Sequence, residues 1–235
     1  ETDGSPVEGY PLVLGKDVSV QTGLTLGRFR DDGPLLIAFG TSDGVLRLMG
    51  LDGQAVPSFP AAIGGKAVGA PLFVHLREGG EVSILVAVQD GRVLAIGEDG
   101  KLRPDFSLRV DGRISTAPAW GPLAPGQSPI LLLGDEQGRL HAFSREGIAL
   151  TGFPYRAKYA LVGQPVFGDL DDDGRYEIVI GSKDFGIHAV ESDGKACAGF
   201  PVATAYRIYS SCSLADMDAD GVVDILAASG DGKLY

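Results

Sequence analysis

Asp169-Leu170-Asp171-Asp172-Asp173-Gly174-Arg175-Tyr176-Glu177 and Asp216-Met217-Asp218-Ala219-Asp220-Gly221-Val222-Val223-Asp224 are the stretches that decide how this chain is read. Both follow the pattern D-x-D-x-D-G-x-x-[DE]. Both run straight into apolar residues, Ile178-Val179-Ile180 and Ile225-Leu226-Ala227. Carboxylates at alternate positions of a tight loop can converge on one point, the glycine permits a sharp turn, and the final acid can close the shell. Such an oxygen-rich cage suits a hard cation, and calcium above all. A helix-loop-helix calcium loop needs a glutamate three residues further on, where this chain has Ile180 and Ala227. The loops are therefore expected between strands. One site would use Asp169, Asp171, Asp173 and Glu177 with the Arg175 carbonyl. The other would use Asp216, Asp218, Asp220 and Asp224 with the Val222 carbonyl. The plainer alternative is an acidic, solvated turn, because Asp and Gly are turn formers anyway. Two copies in register argue against it.

The twin loops lie 47 residues apart, and that spacing runs through the whole chain. Asp43, Asp90, Gln137, Asp184 and Asp231 keep it, as do Phe59, Phe106, Phe153 and Phe200. Repeats of this length mean arrays of one supersecondary unit. Within a unit, short apolar runs alternate with Gly- and Asp-rich turns. Pro165–Gly168, Glu177–Gly181 and Gly186–Val190 read as three strands, with a fourth through Gly199-Phe200-Pro201. No stretch has a sustained helical period. The expected fold class is all-β: a β-propeller of four-stranded antiparallel blades, forming a single domain over residues 1–235. Five periods fill the chain. Asp3-Gly4 and Gly9-Tyr10-Pro11 match the turn and fourth strand that are missing after Tyr235. A fifth blade split between residues 1–22 and 211–235 is the resulting expectation; a piece of a longer propeller is the alternative.

Composition fits a soluble globular chain, with 44% hydrophobic and 22% charged residues. The net charge of −11 argues against nucleic acid or an anionic membrane as the partner. No apolar run is long enough for a membrane-spanning helix, so no membrane insertion is expected. Starting at Glu1 fits a mature or trimmed chain as well as a cytosolic one. Cys197 and Cys212 could form one bridge or remain two thiols.

The segments Val166-Phe167-Gly168-Asp169 through Gly181 and Leu214-Ala215-Asp216 through Ala228 resemble the FG-GAP (VCBS-type) repeat, the calcium-loop propeller repeat of integrin α-subunits and many secreted bacterial proteins. The Gly-Phe-Pro segments at 152–154 and 199–201 resemble its bacterial members. The diagnostic motif is intact in two of the five units. The resemblance implies a propeller, calcium between the first and second strands of a blade, and an interaction role that is extracellular, at the cell surface or periplasmic. Some members of the family are enzymes or are attached to enzymes, so fold alone does not settle activity.

The matching loops of the other units have lost the ligands at the first and third positions. Arg28, His75 and Pro122 stand at the first position, and Arg30, Arg77 and Ala124 at the third. These units are expected to be metal-free, and in two of them a basic side chain could partly stand in for the ion. Gly40-Thr41-Ser42-Asp43-Gly44 fits G-x-S-x-G but aligns with turns between strands, not with the strand-turn-helix context that a nucleophile needs. His141 and His188 share a repeat position and read as strand surface residues. Trp120 reads as core filling. The loops that leave the fourth strands combine aromatics with cations: Tyr155, Arg156 and Tyr159 in one, Tyr206, Arg207 and Tyr209 in the next. These side chains suit a protein partner, or a carbohydrate whose ring lies on tyrosine. Strand counting puts them at the opposite end of the sheet from the acidic loops. The leading expectation is a non-enzymatic, calcium-stabilised scaffold that presents loops to a partner. The alternatives are a carbohydrate-binding or polysaccharide-lyase-type module and a structural assembly subunit.

Overall fold

The structure is a computed structural model that describes residues 10–235. The described residues divide into two compact units, one up to Leu108 and one from Arg109 to Tyr235. Every regular element among the described residues is a strand, as the apolar runs between turn residues require.

In the first unit, β1 (Thr25–Gly27), β2 (Leu36–Gly40), β3 (Val45–Gly50) and β4 (Ala61–Ala62) form one antiparallel sheet in sequence order. Next come β5 (Leu72–His75), β6 (Val82–Ala87), β7 (Arg92–Ile96) and β8 (Leu108–Arg109), in the same order. The second unit has β9 (Ala119–Gly121), β10 (Ile130–Gly134), β11 (Arg139–Phe143) and β12 (Tyr155–Arg156). It continues with β13 (Leu161–Gly168), β14 (Glu177–Ser182), β15 (Gly186–Val190) and β16 (Val202–Ala203). Each of these sets is again a four-stranded sheet. β17 (Ser213–Ala215) and β18 (Asp224–Leu226) form a two-stranded sheet.

The 47-residue spacing is a register as well as a sequence pattern. First strands meet second strands at Leu26–Ile37, Phe73–Ile84, Trp120–Leu131, Phe167–Ile178 and Leu214–Ile225. Second strands meet third strands at Ile37–Met49, Ile84–Ile96, Leu131–Phe143 and Ile178–Val190. Because side chains alternate across a strand, a one-residue slip would turn every apolar side chain over. The preserved spacing therefore preserves the core. Every residue of β6, β10 and β14 is buried, as expected for second strands covered on both faces. Leu46, Leu48, Ile63 and Ile84 centre the core of the first unit. Leu132, Leu140, Leu161 and Ile178 do so in the second, with a further cluster around Val179, Ala189 and Ile208.

Two expectations need correction, and a third is followed only in part by the described residues. The fourth strands begin after the Gly-Phe-Pro segments, not within them. The amides of Phe59, Phe106, Phe153 and Phe200 close turns onto Val56, Arg103, Leu150 and Cys197, and proline has no amide for a ladder. Among the described residues, the fifth repeat forms two strands plus a bridge between Ala228 and Leu234. The N-terminal match at Asp3-Gly4 and Gly9 lies outside the described residues. Finally, His141 and His188 are not surface residues. Both third-strand side chains point inward to a buried carboxylate.

Candidate functional site

Each acidic loop joins a first strand to a second. Residues 169–176 link β13 to β14, and residues 216–223 link β17 to β18. The two are built bond for bond alike. Asp169 Oδ2 accepts the Gly174 amide at 2.9 Å, and Asp216 Oδ2 accepts the Gly221 amide at 3.0 Å. The Asp173 amide donates to Asp169 and Asp171, and the Asp220 amide donates to Asp216 and Asp218. Glu177 Oε2 accepts the Leu170 amide at 2.8 Å, and Asp224 Oδ2 accepts the Met217 amide at 3.0 Å. Asp172 and Ala219 both take positive φ, at 60° and 63°, which turns the loop tightly enough to bring distant acids together.

Asp169, Asp171 and Glu177 offer oxygens within 4.8 Å of one another, and so do Asp216, Asp218 and Asp224. Asp173 and Asp220 were expected in the shell but stand outside these groups. Their Oδ1 atoms accept the amides of Arg175 and Val222, at 2.7 and 2.8 Å. This local bond holds each side chain against its own turn. The two sites differ in depth. Glu177 is only 3% exposed, whereas all three acids of the second group are exposed. Burial pushes the Glu177 carboxyl above its usual range. The Asp171 and Glu191 charges add to this, against the downward pull of the Leu170 amide. A desolvated carboxylate facing other carboxylates, with no cationic side chain against it, has the donor chemistry that a hard cation completes.

The loops without the full set of acids close differently. The amides of Gly33, Gly80 and Gln127 bond to the carbonyls of Arg30, Arg77 and Ala124, at 2.9, 3.0 and 3.1 Å. Arg28 donates to the Gly33 carbonyl at 2.6 Å, and His75 Nδ1 lies 2.7 Å from the Gly80 carbonyl. At the third position, Arg30 pairs with Glu98 and Arg77 with Asp105, each at 2.8 Å. The basic residues thus tie down the backbone of their own loops or pair with distant acids.

At the other end of β14, the expected loop cluster is only partly borne out. Tyr155 belongs to β12 and turns inward, its hydroxyl 2.8 Å from His188 Nδ1. Arg156 is exposed beside it. Tyr159, Tyr206, Arg207 and Tyr209 are exposed loop residues, as expected. The turn between β14 and β15 meets these loops: Ser182 Oγ donates to the Tyr159 carbonyl, and the Lys158 amide donates to Asp184 Oδ2 at 3.0 Å. Phe185, at the tip of that turn, stacks on Tyr206 with ring centroids 5.7 Å apart. Phe185 was missed from the sequence, although it is the one turn tip that breaks a run of glycines.

The buried carboxylate networks were missed as well. His188 Nε2 lies 3.1 Å from Asp184 Oδ1. Asp135, fully buried, accepts Arg139 Nε at 2.6 Å and lies 2.9 Å from His141 Nε2. For both acids, burial pushes the pKa up, but hydrogen bonds from the histidine and neighbouring groups outweigh it, and the net direction is down. The alternation of histidine with apolar residues on a third strand, four or six residues after an acid, is the signal that could have found these pairs. Cys197 and Cys212 are free thiols, raised to about 12 and about 11, chiefly by burial.

No known family profile matches the chain, and no curated protein matches it. Solved structures do. BBS1N in complex with ARL6DN aligns over 94% of this chain and 65% of its own, with a TM-score of 0.65 and 12% identity. The computationally designed Ika8 protein aligns over 94% of this chain and 59% of its own, with a TM-score of 0.60 and 16% identity. The designed Ika4 protein aligns over 76% of this chain and 94% of its own, with a TM-score of 0.53 and 15% identity. At these identities the likeness is one of fold. The chain spans about three fifths of the Ika8 chain and 65% of the BBS1N chain. Among the described residues no helix is long and apolar enough to cross a membrane.

Proposed function

We propose that this chain is a β-propeller of the calcium-loop type, a non-enzymatic scaffold that binds two calcium ions at one end of its blades and a partner at the other. The four-stranded sheets, repeating in one register, are the blades. One observation carries the metal assignment: two loops, 47 residues apart, each bring three carboxylates within 4.8 Å through the same set of backbone hydrogen bonds. Asp169, Asp171 and Glu177 would hold one ion, and Asp216, Asp218 and Asp224 the other. Calcium supplies charge neutralisation that lets the acids share one point. The resemblance to FG-GAP repeats supports this and suggests work outside the cytoplasm, at the cell surface or in the periplasm. BBS1N was crystallised with a protein, ARL6DN, which is compatible with a protein partner here.

A second reading, carbohydrate binding, is favoured by the exposed aromatic cluster of Phe185, Tyr206 and Tyr209. Equilibrium dialysis against calcium tests the metal assignment. The expected result is two ions per chain, one ion for Asp171→Asn and one for Asp218→Asn. A stoichiometry near zero for the parent chain would remove the assignment.

A further inference from the structure

The turns between second and third strands share one conformation, and one of them breaks its own rule. Gly44, Gly91, Gly138 and Gly232 occupy equivalent positions with φ of 75°, 96°, 79° and 81°. Glycine takes this left-handed conformation without steric penalty. The fifth equivalent is Phe185, at φ 70°. A bulky side chain rarely adopts such backbone, and where it does the cause is often a functional constraint. Phe185 does not use the position to reach the core, since it is 42% exposed. Its ring lies 18° from parallel to Tyr206, and Tyr206 lies 6.4 Å from Tyr209, centroid to centroid. Tyr206 and Tyr209 are 43% and 56% exposed. Both rest on Gly230, where a Cβ atom would come within 2.7 Å of either ring. Three partly exposed rings are thus packed against one another, two of them resting on Gly230.

The charges around the rings are one-sided. Lys183 and Arg207 are exposed and form no ion pair among the described residues, in a chain whose net charge is −11. Lys158 lies over Tyr159, with its amide tied to the same turn. The acids carried by these turns are already engaged. Asp184 takes His188 and the Lys158 amide, and Asp231 takes the Tyr235 hydroxyl at 2.7 Å. The platform therefore offers more donors than acceptors, since its ammonium and guanidinium groups only donate while its phenols do both. A neutral sugar needs both. A ligand with flat apolar ring faces and acceptor-only substituents matches better.

We infer that Phe185, Tyr206 and Tyr209 form a stacking platform for the pyranose rings of an anionic glycan, with Lys158, Lys183 and Arg207 donating to its carboxylate or sulfate groups. This rests on the proposed reading of these loops as the partner-facing end, and it names the partner's chemistry. Nucleic acid is the competing polyanion.

The test is isothermal titration calorimetry in calcium-containing buffer, with melting temperature followed in parallel. Oligogalacturonate probes the carboxylate, heparin oligosaccharide the sulfate, cello-oligosaccharide the neutral sugar, and oligo(dT) the nucleic acid. At least one acidic oligosaccharide should bind about tenfold or more tightly than the neutral one, and more tightly than oligo(dT). Phe185→Gly should lose about tenfold in affinity while its melting temperature holds or rises, because glycine is the residue of the other four turns. A purely structural role for Phe185 would show the reverse, a lower melting temperature with binding unchanged. The inference is overturned if neither acidic oligosaccharide binds, if the neutral sugar binds as well, if oligo(dT) binds most tightly, or if Phe185→Gly binds normally. Any of these results with the calcium response intact removes the platform and leaves the scaffold reading standing.

Discussion

The loop between a first and a second strand is built in two ways in this chain. In residues 169–177 and 216–224, backbone amides turn toward side-chain carboxylates, and the acids end up facing one another. In residues 28–36, 75–83 and 122–130, the backbone bonds to itself, and the basic side chains donate to carbonyls or to distant acids. The frame is the same and the register of the flanking strands is the same. The difference teaches that the fold requires only a closed turn here. Clustered acids are an addition that, without a cation, sets like charges against one another.

That contrast can be broken most forcefully at Asp169. With calcium at about a hundred times its dissociation constant, one bound ion adds about 2.7 kcal/mol to stability. Asp169→Ala should lose more in calcium than in chelator, by an amount of that order, as read by denaturant unfolding in the two buffers. An equal loss in both would mean that the aspartate serves as a turn residue only.

A cation-independent carboxylate gives the control. Asp184 is engaged by His188 and the Lys158 amide, and its pKa is lowered. A depressed folded-state pKa contributes stability above the unfolded value of about 4, lost as pH falls through the folded value. In chelator, Asp184→Ala should cost about 1–3 kcal/mol at neutral pH, because it leaves buried donors without a partner. The deficit should shrink below about pH 4. A deficit that does not change on acidification would contradict the linkage.

The two acidic loops should also differ from each other. Glu177 is buried while Asp224 is exposed, so charge is less screened at the first site. The one ion that remains should therefore be held more tightly in Asp218→Asn, which keeps the first site, than in Asp171→Asn, which keeps the second, by on the order of tenfold. The smallest effect belongs to the basic loops. Arg77 and Asp105 are 70% and 50% exposed, so Arg77→Ala should cost under about 1 kcal/mol, fade in salt, and show no calcium dependence.

The sequence carried strand positions far because a fixed period constrains both register and turns. The pairs Phe73–Ile84 and Phe167–Ile178 fall where a 47-residue step puts them. It carried the acidic loops as a set of acids, but not which acids converge. Asp173 and Asp171 are the same residue type two positions apart, and only the fold shows that Asp173 bonds to the Arg175 amide. It misplaced Tyr155 and His188, because a polar tip on a strand reads as surface until its partner is known. Here that partner is another buried polar group more than thirty residues away. The Gly-Phe-Pro segments were read as strand because apolar residues between turns look alike, whether they pair in a ladder or close a turn.

The central claim is that clustered acids in two loops make this scaffold calcium-dependent. Its most direct test is thermal unfolding of the parent chain and of the Asp171→Asn/Asp218→Asn double variant, each in chelator and in excess calcium. The account predicts that calcium raises the melting temperature of the parent reversibly, and that the double variant melts at the same temperature in both buffers. A parent chain indifferent to chelator and calcium, or a double variant that still responds like the parent, would contradict it.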